Sequence, residues 1–188
     1  MHVEPGPTLI TERLILRRWR DEDLAPFAEM NADPVVMEFM PTLLSADESD
    51  DLAHRADALF DRFGYGLFAV EVRGGEPFVG FVGLSAFSTS DPRPLRFAPG
   101  VEVGWRLAHE VWGRGYAPEA ATACLELGFA AGLHEIVSFT SVLNERSQSV
   151  MRKIGMQRDP ADDFDHPRVV EGSPLRPHVL YRIGRPSA

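Results

Sequence analysis

The sequence predicts an α/β domain built on a sheet of mixed, mostly antiparallel direction, flanked by helices. Three observations carry that expectation. Short apolar runs bounded by glycine and proline alternate with longer stretches whose apolar residues recur at helical spacing. Between positions 67 and 107 three such runs follow one another across turns, which is an antiparallel series. From 101 to 142 the order becomes run, glycine loop, helix, run, which is a crossover unit.

The elements follow in order. Residues 13–19 read as a first strand, and Asp21 is placed to cap a helix running to about Asn31, with Leu24, Phe27, Ala28 and Met30 on its apolar side. A second helix spans Ser45 to Phe63, its acidic first turn (Asp47, Glu48, Asp50, Asp51) suited to the positive end of the helix dipole. Strands follow at 67–72 and 78–87, joined by Arg73-Gly74-Gly75-Glu76. Residues 88–99 hold three prolines and form a long loop before a strand at 101–107. A glycine-punctuated loop, 109–116, leads into a helix from Pro118 to Gly132, with proline in its first turn and glycine at its end. A strand at 136–142, a helix from Asn144 or Glu145 to Ile154, an irregular acidic stretch at 159–177 and a last strand at 178–183 complete the chain.

Composition sets the bounds. At roughly 150 residues per domain, 188 residues make one domain, 1–188, with an N-terminal extension at 1–8. A hydrophobic content of 44% and a charged content of 25% exclude global disorder and collagen. No apolar run approaches the roughly 20 residues of a membrane helix. Met1–Pro7 has no basic segment followed by an apolar run, so no secretion signal is expected and the cytoplasm is the expected location. The single cysteine, Cys124, rules out an internal disulfide or a cysteine-built zinc site, and it reads as a core residue in mid-helix. His54, His109, His134, His166 and His178 lack metal-ligand spacing, so no metal is expected, and His166 reads as a surface residue.

Nineteen basic against 28 acidic side chains give a net charge of −9, which disfavours nucleic acid and anionic membranes as partners. The charge is segregated. From Trp105 to Arg158 there are six basic residues (Arg106, Arg114, Arg146, Arg152, Lys153, Arg158), five glutamates and no aspartate. The acidic excess therefore lies in the rest of the chain, where it favours a cationic partner.

The sharpest chemical feature is Trp112-Gly113-Arg114-Gly115-Tyr116-Ala117-Pro118, between a strand and a helix. Glycines allow a tight turn and a close backbone approach to a ligand. The free N–H groups and dipole of the following helix attract an anion such as a pyrophosphate. The loop is neither a G-x-G-x-x-G fingerprint nor a Walker loop. A second basic group, Arg146, Arg152, Lys153 and Arg158, lies on and just beyond the helix after Asn144; it reads either as a solvated face or as further charge for the same anion.

The loop resembles the Arg/Gln-x-x-Gly-x-Gly/Ala motif of the GCN5-related N-acetyltransferases (GNAT), with Gly115 and Ala117 in the small positions and Trp112 replacing the usual Gln or Arg. That replacement is similar to the Rim-type branch, the ribosomal-protein-alanine acetyltransferases and their relatives. Other segments resemble it in the same order: Thr11-x-Arg13-Leu14-x-Leu16-Arg17, Val103-Gly104-Trp105, Gly115-Tyr116-Ala117-x-Glu119-Ala120, Asn144-x-x-Ser147 through Lys153-Ile154-Gly155-Met156, and His178-Val179-Leu180-Tyr181. The resemblance spans about residues 9–184.

The resemblance implies the GNAT fold with splayed central strands, and acetyl transfer from acetyl-CoA to an amine. It implies that backbone N–H groups from Gly113 to Ala117 hold the pyrophosphate, helped by Trp112 and Arg114, with Tyr116 in the same loop. Pantetheine inserts beside Trp105, Arg106 and Leu107, with Asn144, Ser147 and Arg152 flanking it. Many relatives protonate the leaving thiolate with a Tyr; the matching position here is Met151, and Ser147 is the candidate substitute, its competing reading a helix-cap hydroxyl. Glu102 is the candidate base. Alternation places it with Gly104 and Arg106 on one face, and the competing reading is a carboxylate on the solvent side. Direct attack without a dedicated base is also open. A non-catalytic acyl-CoA-binding or sensing module on the same fold is the alternative to an enzyme, and an unrelated nucleotide-binding domain ranks below both. The acceptor is expected to be a cationic amine, a protein N-terminus or a small molecule, approached by the loops 33–46, 88–99 and 159–177. Trp19, Phe39, Phe87 and Phe97 are candidates to line its pocket, and a homodimer is compatible with the branch.

Overall fold

A computed structural model describes residues 7–186; most of the expected N-terminal extension lies outside the described residues. The elements in chain order are β1 (Leu9–Ile10), β2 (Leu14–Arg17), α1 (Leu24–Ala32), α2 (Ala46–Phe63), β3 (Leu67–Val72), β4 (Gly80–Phe87), β5 (Gly100–Leu107), α3 (Tyr116–Ala130), β6 (Glu135–Ser141), α4 (Glu145–Lys153), β7 (Gln157–Arg158), β8 (Phe164–Asp165) and β9 (Pro177–Gly184). The strands form one sheet in the order β1-β2-β3-β4-β5-β6-β9-β7, with β8 also paired to β9. Each neighbouring pair is antiparallel except β5 and β6. This is the mixed, mostly antiparallel sheet flanked by helices that the resemblance implies.

Alternation along β4 explains the two cores. Val82 and Leu84 project to one face and join Val103 of β5, Ile136 of β6 and the α3 residues Ala120, Ala121 and Cys124. Phe81 projects to the other, where it meets Phe27 and Met30 of α1, with Trp19 packed alongside. Trp19 therefore belongs to the packing of this second core, its indole N–H donating to the Leu67 carbonyl at 2.7 Å.

Several expectations are corrected. The strand expected at 13–19 shortens to β2, and the unexpected β1 before it pairs back onto β2 because Thr11 turns the chain by hydrogen bonds with Leu14. Asp21 does not cap α1. Asp23 immediately precedes the helix, but its carboxylate takes a bidentate pair from Arg17 at 2.7 and 2.9 Å instead of capping it. The helix expected from Pro118 starts two residues earlier at Tyr116 and ends before Gly132. The stretch 159–177 contains β8, drawn onto β9 through Phe164↔His178. By contrast, α2 is capped as its sequence dictates: Ser45 accepts from the Glu48 N–H while the Glu48 carboxylate accepts from the Ser45 N–H.

Candidate active site

β5 and β6 run parallel but share a single register pair, Glu102↔Val137. Beyond it the strands diverge, and their facing backbone edges toward Leu107 and Ser141 are not paired to each other in the sheet. A cavity of about 720 Å3 opens there. Its mouth is the glycine loop. Gly113 (φ 77°) and Gly115 (φ 82°) both sit in the left-handed region, which favours glycine. Gly115 caps α3 with no side-chain acceptor, so the first N–H groups of the helix, Tyr116 and Ala117, are left for an incoming anion.

The back of this loop is braced by the N-terminal strands. The Arg13 guanidinium donates Nη1 to the Arg114 carbonyl at 2.8 Å and Nε to Glu119 Oε2 at 2.7 Å. Glu119 Oε1 also accepts from the Thr11 hydroxyl at 2.6 Å and from the Arg13 N–H at 2.9 Å. Burial pushes the Glu119 carboxyl up, but the hydrogen bonds from Thr11 and Arg13 outweigh it and hold the group below its ordinary range. Arg13 also lies over the Tyr116 ring, 5.0 Å from its centroid.

Inside the cavity, Glu102, Gly104 and Arg106 share one face of β5, beside Phe81 and Ser85 of β4. Glu102 is partly accessible, and desolvation pushes its carboxyl up to about 8, against a weaker pull from Arg168. His166 and His178 pack ring to ring at 4.7 Å on the opposite wall, next to Phe139. Burial, with His178, Arg168 and Arg93 nearby, pushes His166 down to about 4; burial also lowers His178, against the Arg176 carbonyl and Asp165. Both imidazoles are therefore neutral at pH 7.

The profile of the Acetyltransferase (GNAT) domain matches residues 13–157. The chain belongs to the GNAT acetyltransferase family. It is similar to the uncharacterized N-acetyltransferase YoaA of Bacillus subtilis, at 28% identity over 156 residues, covering 81% of this chain and 84% of that protein. An acetyltransferase structure from Agrobacterium tumefaciens superposes with a TM-score of 0.74 at 26% identity, covering 96% of each chain. RimJ from Mycobacterium smegmatis, solved in complex with CoA-disulfide, shares the fold at a TM-score of 0.71 and 19% identity, covering 96% of this chain and 88% of that one. The chain is an acyl-CoA-dependent N-acetyltransferase.

In this acetyltransferase the residues singled out in the sequence separate into two groups. Glu102, Trp105, Arg106, Leu107, Trp112, Gly113, Gly115, Tyr116, Ala117, Asn144 and Ser147 all line the one cavity. Arg114 and Arg152 are not among its lining residues. Arg114 is exposed, and its fixed group is the carbonyl held by Arg13. Arg152 is exposed on α4, with its guanidinium 3.3 Å from the Tyr181 hydroxyl and 3.5 Å from Glu145. Arg146, one turn and a half earlier on α4, reaches the mouth instead: it lies 4.5 Å from the Trp112 ring centroid and pairs with Glu38.

The α4 cap is resolved as well. Asn144 Oδ1 accepts from the Ser147 N–H at 3.1 Å, so Asn144 is the cap. Among the described residues the Ser147 hydroxyl has no hydrogen-bond partner, and it lines the cavity. His166, expected at the surface, is half-buried in the cavity wall. Phe39 lines the cavity, whereas Phe87 and Phe97 pack edge to face in an aromatic cluster with Phe139 and Phe164. Sequence reasoning missed His178, Ser138 and Thr140. The alternation of β6, Ile136-Val137-Ser138-Phe139-Thr140, held a signal: hydroxyls recur on the face that otherwise reads as core.

Proposed function

We propose that this chain transfers the acetyl group of acetyl-CoA to a primary amine by direct attack in a ternary complex, as a Rim-like member of its family. The observation that carries the reading is the divergence of β5 from β6 below a left-handed glycine loop, with the raised carboxyl of Glu102 inside. The residues present suit a CoA thioester. The N–H groups of Gly113 to Ala117 hold the pyrophosphate, and the open edge of Trp105–Leu107 pairs with the amide groups of pantetheine. Trp112, steadied by its indole N–H bond to the Leu107 carbonyl at 2.8 Å, walls the entry with Arg146 against it.

The amine must lose a proton to attack. Glu102, once ionised, accepts that proton directly or through water. The Ser147 hydroxyl donates toward the departing sulfur, replacing the Tyr that Met151 supplants. Asn144 fixes the start of α4 and so the position of Ser147. Arg114 and Arg152 act only as diffuse positive charge near the loop, since neither lines the cavity. The amine arrives protonated, and the acidic remainder of the chain attracts it. Calorimetric titration with CoA tests the reading. One site per chain is expected, and the absence of binding overturns it.

A further inference from the structure

Arg106 is the cavity's unusual cation. Its guanidinium donates Nη1 to Asn31 Oδ1 at 2.6 Å and Nη2 to Met40 Sδ at 3.3 Å, and lies over the Phe81 ring at 5.6 Å. All three partners are neutral, and a thioether sulfur is a weak acceptor. The protein treats another buried arginine differently: Arg17 receives carboxylates from both Asp23 and Glu71. Arg146 at the mouth is paired with Glu38, and Arg168, near Glu102, is paired with Asp91. Among the described residues Arg106 has no acidic partner. Desolvation lowers it to about 10, with no opposing carboxylate. Withdrawing a cation from water without an anion is costly, and the cost is recovered when an anion arrives.

We infer that the acceptor carries a carboxylate that binds Arg106 while its amine is attacked near Glu102. The inference rests on the acetyl-transfer reading and names the acceptor class within it. Arg106 and Glu102 lie four residues apart on one face, about 13 Å along an extended strand, so an acceptor of dipeptide size spans them. The acceptor then bears opposite charges at its two ends. The carboxylate comes either from an acidic side chain of a peptide or from the C-terminal carboxyl of a dipeptide.

Matched acceptors separate these sources. One arm compares Ala-Glu-amide with Ala-Gln-amide; the other compares Ala-Ala with Ala-Ala-amide. In at least one arm the wild type prefers the carboxylate by roughly 10- to 100-fold in kcat/KM, the size of a charge-assisted pair in a desolvated site. Arg106→Gln brings the ratio of kcat/KM within that pair to about one, whatever its effect on their common rate, and Arg106→Lys restores part of the ratio. Equal kcat/KM within both arms overturns the proposal, as does an Arg106→Gln variant that keeps the wild-type ratio. The same pairs are titrated calorimetrically into the CoA-loaded protein. Carboxylate-selective binding without turnover contradicts the acetyl-transfer reading and upholds the anion site; unselective binding contradicts the anion site.

Discussion

Arg13→Ala removes the brace behind the glycine loop while leaving every cavity-lining group in place. The substitution deletes the bond to the Arg114 carbonyl and both contacts to Glu119. The Arg13 side chain is 44% exposed and that of Glu119 is 16% exposed, so the pair lies between a surface bridge and a buried one. A surface pair contributes about 0–1 kcal/mol, and a buried charged bond about 1.5–3. A loss of about 1–2 kcal/mol follows, which is roughly 5- to 30-fold in affinity. Because the brace touches the pyrophosphate loop and not the reacting atoms, the loss falls on KM for acetyl-CoA, with kcat within about twofold. The assay is steady-state kinetics with two donors, acetyl-CoA and S-acetylpantetheine, which lacks the pyrophosphate. Only acetyl-CoA should be affected. An equal rise in KM for both donors, or a fall in kcat at unchanged KM, refutes the reasoning.

Glu102→Gln has two expected outcomes. With an aniline acceptor, whose amine is already neutral, wild-type kcat/KM rises as pH passes about 8 and Glu102 loses its proton, and the variant lacks that limb; superimposable profiles count against a base at Glu102. The sign for stability is opposite to that of a paired carboxylate. The folded group holds its proton while the unfolded one ionises above about 4.5, so the fold loses stability between there and 8, by up to about 3 kcal/mol at pH 7. The variant should therefore melt higher than wild type, by a margin that widens from pH 5 to pH 8; a narrowing margin refutes the burial argument. Ser147→Ala should lower kcat by roughly 100-fold at unchanged KM for acetyl-CoA. Its melting temperature should hold, since Asn144 caps the helix; an unchanged kcat removes Ser147 from the chemistry.

Local signals carried the sequence reading where local physics decides the outcome. The acidic first turn after Ser45 announces α2, and the Gly113–Pro118 segment announces a strand-to-helix turn, because in both the deciding groups lie within a few residues. The reading failed where a distant partner takes over. Asp23 forgoes its capping role because the Arg17 guanidinium of β2 takes both of its oxygens. β8 forms only because β9 offers an edge to a segment too short and polar to read as a strand. Within the site, alternation correctly grouped Glu102 with Arg106, but which face was enclosed depends on α1 and the loop after it, through Asn31 and Met40. His166 and His178 become neighbours only when the β8–β9 pairing forms.

The most direct measurement is the release of free CoA from acetyl-CoA, followed together with acetylation of the amine. The account predicts that release requires both the protein and a primary amine, and yields one acetylated amine per thiol. Release that proceeds equally without an amine, or none across amino acids, peptide N-termini and polyamines, would contradict it.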